Sequence, residues 1–257
     1  MRPRFNNQPQ FHFQAAPTLK ITEFYYGRYD RIDAILVEHP ELVELIHRDI
    51  AEPLDCEKAP DATGEDCYKC SSETVLRMVI CQIVEGCSLR EIVVRIDDSD
   101  FLRRFVRVYN DPMIDYSTFC RLRNRIEPET WKRINDTLAQ TAVDQGHISG
   151  ERTRLGTTAV ETNKGYYGSR EQLAALREQV DLVAVNKKGK RSEEEKERED
   201  DPFFRHSQRF RAGVEGTISY LKRVLGLARC YVKGWTHYAA TVGATIFVHN
   251  LLILARE

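Results

Sequence analysis

The 257-residue sequence has little that announces a location or a ligand. No apolar run approaches the roughly 18 to 20 residues of a membrane span. The polar start, Met1 to Pro17, is rich in Gln, Asn and Pro and lacks an apolar h-region, so it reads as a flexible tail rather than a signal peptide. Seven cysteines, an odd number, stand in no disulfide-like frame, which fits a reducing cytoplasm. The formal net charge is only -1, so no global positive field points to nucleic acid, and DNA binding would need local basic patches. No internal repeat is found. Cys67 and Cys70 form a CxxC pair that could supply half of a zinc site, with Cys56 upstream and Cys81 downstream. A second close pair is missing, and the cysteines are expected as free thiols.

What is present is enough for a core. Hydrophobic residues make up 42% and charged residues 30%, ordinary values for a globular chain. Residues 20 to 50 carry a helical stripe of Ile32, Ile35, Leu36, Leu42, Leu45 and Ile46, broken at Pro40. Residues 51 to 70 have no periodicity and read as a loop. From Ser71 to about Ala142 the pattern predicts short helices. The first ends near Gly86. Ser88 and Glu91 form a capping box for the second. The third covers Asp100 to Val108, and Ser117 caps a fourth with Phe119, Leu122 and Ile126 inward. Pro128 opens a fifth with Trp131, Ile134 and Leu138 inward.

The character changes at Gly150. Residues 152 to 162 and 181 to 185 read as strands, with a capped helix between Ser169 and about Gln179. The acidic stretch from Glu193 to Asp201 reads as a solvated helix or loop ended by Pro202. A long helix is expected from about Arg209 to Leu225, with Val214, Ile218, Leu221 and Leu225 buried and Gly226 as its stop. A last, buried helix follows Thr236.

Two basic patches stand out. Between Pro202 and Gly234, Arg205, Arg209, Arg211, Lys222, Arg223, Arg229 and Lys233 face one acid, Glu215, a local charge of +6. Such cations neutralise phosphates with salt-sensitive, sequence-tolerant affinity, although a solvated helix face has the same composition. On a helix, Glu215 shares a face with Arg211, Ser219 and Lys222, as an ion pair or as a metal ligand beside a phosphate track. The second patch is the outer face of the Ser117 helix: Arg121, Arg123, Asn124 and Arg125. A short, capped, basic helix is what a helix-turn-helix needs to read a major groove.

Several blocks, in order from about Glu38 to the end, resemble bacterial insertion-sequence transposases of the DDE class. IVEGCSLREIVVRIDDSDFLRRF and DYSTFCRLRNRIEPETW resemble the family's N-terminal helical DNA-binding region. RTRLGTTAVETN resembles its first catalytic strand. KGYYGSREQL, VAVNKKGKRSEEEKERE and FRAGVEGTISYLKRVLGLARC followed by KGW resemble the second half of its RNase H-like domain, and VGATIFVHNLLILAR its C-terminal helix. The resemblance implies three carboxylates holding two divalent metal ions, Mg2+ in the family, for in-line attack on DNA phosphate.

Gly156 and Asn163 stand where the family has its two Asp residues, and only the Glu survives, as Glu215. VETN also runs directly into KGYY, so intervening strands and a helix are deleted. The expected architecture is mainly α. A flexible tail (1–19) and a helical, helix-turn-helix-like DNA-binding domain (20–149) precede a truncated α/β RNase H-like remnant (150–257). The expected partner is double-stranded DNA at element ends, with self or an intact transposase as oligomeric partner and no membrane. The expected function is DNA binding in DNA transposition without cleavage. The alternatives are regulation of an intact transposase by occupying element ends or forming mixed oligomers, and an active metal-dependent enzyme with Glu161, Asp181 and Glu215 as substitute ligands. Glu161 lies five residues from Gly156, on the opposite face of a strand, which argues against a simple swap.

Overall fold

The computed structural model describes residues 2–6, 19–52, 70–146, 192–229 and 231–256. Ten helices and no strand lie among them: α1 Lys20–Glu38, α2 Glu41–Ile50, α3 Ser72–Val84, α4 Leu89–Asp98, α5 Asp100–Phe105, α6 Tyr116–Arg125, α7 Pro128–Asp144, α8 Glu193–Asp200, α9 Pro202–Arg223 and α10 Trp235–Leu254. The chain is mainly helical, as expected. The expected strands and the 169–179 helix lie outside the described residues, as does most of the 51–70 loop.

Two compact units divide the chain. One comprises Met1–Ser149 with Leu221–Glu257, the other Gly150–Tyr220. The first unit is built around α3, which is buried at every position from Ser72 to Cys81. Its continuous apolar run, Val75 through Ile80 broken only by Arg77, suits a helix covered on all sides. Arg77 inside that run is held by ion pairs to Glu73 (2.8 Å) and Asp33 (2.6 Å), and Asp33 also takes Arg107 at 2.7 Å. A buried guanidinium is tolerable only with such partners, and these tie α1 and the end of α5 to α3.

The predicted stripe over 20 to 50 is sound at its centre: Ile32, Leu36, Leu42 and Ile46 are buried, while Ile35 and Leu45 are half-buried. Tyr29, Val43 and Ile50 are buried too. Tyr29 packs edge-on against Phe101 and Phe105 of α5 and donates to Glu85 Oε1 at 2.6 Å. Pro40 interrupts the pattern between α1 and α2 as predicted.

Residues 2–6 are docked on the helices, where a flexible tail was expected; residues 7–18 lie outside the described residues. Arg2 is buried, and its guanidinium donates to the carbonyls of Ile50 and Cys70. Pro3 and Arg4 carbonyls accept from the Ser72 and Glu73 amides, two donors that a helix N-terminus leaves without partners of its own. Polarity is compatible with order when backbone groups find such partners.

Helix boundaries follow local chemistry. Ser88 and Glu91 make the expected reciprocal capping box. The third predicted helix is shorter than expected, because α5 stops at Phe105 and Arg107 and Tyr109 adopt positive φ. Pro202 opens α9 rather than merely ending α8, so α9 starts seven residues before the predicted Arg209. Asp201 accepts from the Phe204 amide there, and proline fits the first helical turn. In α9, Leu225 just beyond the helix is buried as expected, but Ile218 and Leu221 are half-buried; the Val214 side chain lies outside the described residues.

In the first unit α10 packs on α7. Phe247 meets Trp131 with ring centroids 5.9 Å apart, and a Cβ on Gly243 would lie 2.7 Å from the Trp131 Cβ. Asn135 donates to the Gly243 carbonyl and accepts from Asn250. By length and average hydropathy the 20 residues of α10 would also suffice to cross a membrane, a test that the packed core helix of a folded unit passes as well. Thr, His, Asn and Gly interrupt its apolar residues, so no unbroken run reveals it.

Candidate nucleic-acid interface

Helix α6 is fixed from both ends and from beneath. Its N-cap is Asp115, not Ser117. The carboxylate accepts from the Ser117 amide (2.8 Å), the Thr118 amide (3.2 Å) and both hydroxyls. These bonds hold the Asp115 carboxyl well below the usual carboxylate range. Thr118, Phe119 and Leu122 are buried, and Ile126 closes the inner face just past the helix, as predicted.

The four polar residues expected on the outer face are not equivalent. Arg121 and Asn124 are exposed. Arg123 is half-buried and leans on α10, with Nη2 3.4 Å from Thr241 Oγ1; desolvation lowers its pKa from a high ordinary value. Arg125 is also half-buried and donates to the Glu52 carbonyl. Arg121 and Asn124, three residues apart, form one exposed face.

That face is extended by a pair the sequence reading did not single out. Arg90, in the first turn of α4, lies 4.2 Å from the centroid of the Tyr116 ring and donates to its hydroxyl at 2.8 Å. Both residues are exposed. The capping box that starts α4 and the Asp115 cap that starts α6 therefore bring a guanidinium and a phenol together across 26 residues of sequence. An exposed arginine residue at the start of a capped helix was the available signal; its partner was beyond local pattern reading.

The other candidate residues lie along α9. Arg209 and Glu215 are exposed in the second unit, and Lys222 and Arg223 are exposed at the helix end belonging to the first. The Arg211 side chain, Gly156 and Asn163 lie outside the described residues. Glu215 is a single carboxylate with no Asp or Glu neighbour in α9. Among the described residues no group of three or more His, Cys, Asp or Glu side chains is arranged to hold a metal ion. Cys67 of the CxxC pair is outside them; the Cys70 thiol is buried and accepts from Arg2, while Cys81 and Cys87 are buried free thiols.

No curated protein and no solved structure matches the chain. Residues 32–125 match the family model described as Transposase domain (DUF772), a span that begins within α1 and ends on the last residue of α6.

Proposed function

We propose that the protein is a double-stranded-DNA-binding member of the DDE insertion-sequence transposase class that holds element ends without cutting them. The observation that carries this reading is the coincidence of the transposase-domain match with a helical unit that presents Arg90, Arg121 and Asn124 on α4 and α6. On such a capped helix Asn124 offers a donor–acceptor pair for adenine, while Arg121 and Arg90 reach phosphates. In the same unit Lys222 and Arg223, at the basic end of α9, supply additional phosphate partners, and within the second unit Arg209 and Arg211 are phosphate-binding candidates in their own right.

Donor chemistry speaks against cleavage. A two-metal site requires several anionic oxygens on each ion. Gly156 offers no side-chain oxygen and Asn163 a neutral one, which leaves Glu215 as the sole carboxylate of the family's three. The residues present do not fit Mg2+ in the family's arrangement. The RNase H-like ancestry of residues 150–257 and their internal deletion belong to the same reading.

Duplex binding followed by fluorescence anisotropy over a range of salt concentrations tests the interface. Each phosphate-contacting arginine contributes about 0.9 to the slope of log affinity against log salt. Arg121→Ala is expected to weaken binding and flatten the slope by about 1, and Arg90→Ala to act similarly. An unchanged slope in both variants would remove the α4–α6 surface from the interface.

A further inference from the structure

Beyond Lys222 and Arg223, which the duplex-binding reading uses, the first unit carries a segment after α9 that is rich in cations and exposed aromatic residues. From Gly216 to Arg256 the chain contains no Asp or Glu, against Lys222, Arg223, Arg229, Lys233 and Arg256. Within it stand three exposed aromatic residues. Tyr231 is 83% exposed, Trp235 78% and Tyr238 39%, and the rings of Trp235 and Tyr238 lie 5.8 Å apart. These aromatics are not spilling out of a loose core. On the same helix α10, Phe247, Val248 and Leu251 are fully buried, and Gly243 meets Trp131 at close range.

The local backbone is defined on either side. Gly226 takes φ +79°, and the Leu227 and Ala228 amides donate to the Leu221 and Lys222 carbonyls, folding the chain back on the last turn of α9. Gly234, at φ +88°, then sets Trp235 as the first residue of α10. Arg229 and Lys233, both exposed, flank the aromatic residues in sequence.

Large aromatic surfaces left in water among cations, in a segment that has no Asp or Glu of its own, suit a ligand with flat π-faces and regular negative charge. Bases stack on exposed rings while phosphates take the guanidinium and ammonium groups. Duplex DNA does not present its base faces. We propose that Tyr231, Trp235 and Tyr238, with Arg229 and Lys233, form a stacking platform for unpaired nucleotides, the aromatic rings receiving bases and the two cations receiving phosphates. The platform does not depend on the duplex-binding reading.

The chain has two tryptophans, and Trp131 is only 1% exposed, so quenching of tryptophan emission by a large ligand reports mainly on Trp235. The full chain is titrated with oligo(dT) about 15 nucleotides long, with a duplex, and with phosphatidylglycerol vesicles. Oligo(dT) is expected to quench the emission. Trp235→Ala is expected to weaken oligo(dT) binding about 5- to 100-fold and leave duplex binding unchanged, while Trp235→Phe retains most of it. If Trp235→Ala does not fold, Tyr231→Ala combined with Lys233→Ala serves in its place with the same expected loss. Unchanged oligo(dT) affinity in the variants overturns the proposal. So does an emission change with vesicles and none with oligo(dT), which would assign the surface to a lipid interface. Oligo(dT) quenching without duplex binding would uphold the platform and reject the proposed duplex function.

Discussion

Asp115 receives two backbone amides and two hydroxyls, so four donors converge on one exposed carboxylate at the start of α6. Removing such a cap costs about 0.5–2 kcal/mol. Asp115→Ala should lower the urea midpoint at pH 7 accordingly. Because the folded-state pKa lies below the ordinary value of 3.8, the stabilisation linked to ionisation is complete above that value and is lost as pH falls toward the folded pKa. The gap between variant and parent should therefore narrow in acid, and a gap that stays constant down to about pH 3 would mean that ionisation of Asp115 contributes nothing. The sequence reading places the cap at Ser117, two residues past the true cap Asp115, because no Glu or Gln stands three residues after either to mark it. Ser88 is unambiguous, because Glu91 completes its box. The inward lean of Arg123 was beyond any local reading, since Thr241 is 118 residues away.

Two helical glycines behave oppositely at the scale of the element. Gly243 sits where α10 crosses α7, and an added methyl group would meet Trp131 Cβ at 2.7 Å. Trp131 Cβ is tied to the α7 backbone, so the helices themselves must move apart. Gly243→Ala should destabilise the first unit by about 1–3 kcal/mol, seen as a lower thermal or urea midpoint. Gly216, inside α9, has nothing within 4 Å of the same added atom. There the gain in helix propensity stands alone, and Gly216→Ala should leave α9 more stable by up to about 1 kcal/mol. Helical content rising in Gly216→Ala and stability falling in Gly243→Ala is the expected pair; a stabilised Gly243→Ala would deny the close crossing. Apolar spacing and caps made α2, α3, α4 and α7 legible in the sequence. Where an element ended on a backbone turn without glycine or proline, as at Arg107 and Tyr109, nothing in the local pattern marked it. Proline misled in the opposite direction at Pro202, where it begins a helix.

For the whole molecule, the mainly helical class was legible because hydrophobic periodicity survives over many residues. That residues 221–257 join residues 1–149 in one unit was not, because the α7–α10 contact is built from residues more than 100 positions apart. The transposase-domain match ends at Arg125, so it covers the α6 surface but neither Glu215 nor the aromatic segment after α9. The proposed function is DNA binding without DNA cutting. The direct measurement incubates the full chain with end-labelled duplex DNA and Mg2+ or Mn2+, following mobility shift and strand cleavage in the same samples. A shift that weakens with salt, no cleavage with either metal, and unchanged binding in Glu215→Ala are expected. Metal-dependent cleavage abolished by Glu215→Ala would contradict the claim, because Glu215 would then belong to a working site completed by other ligands.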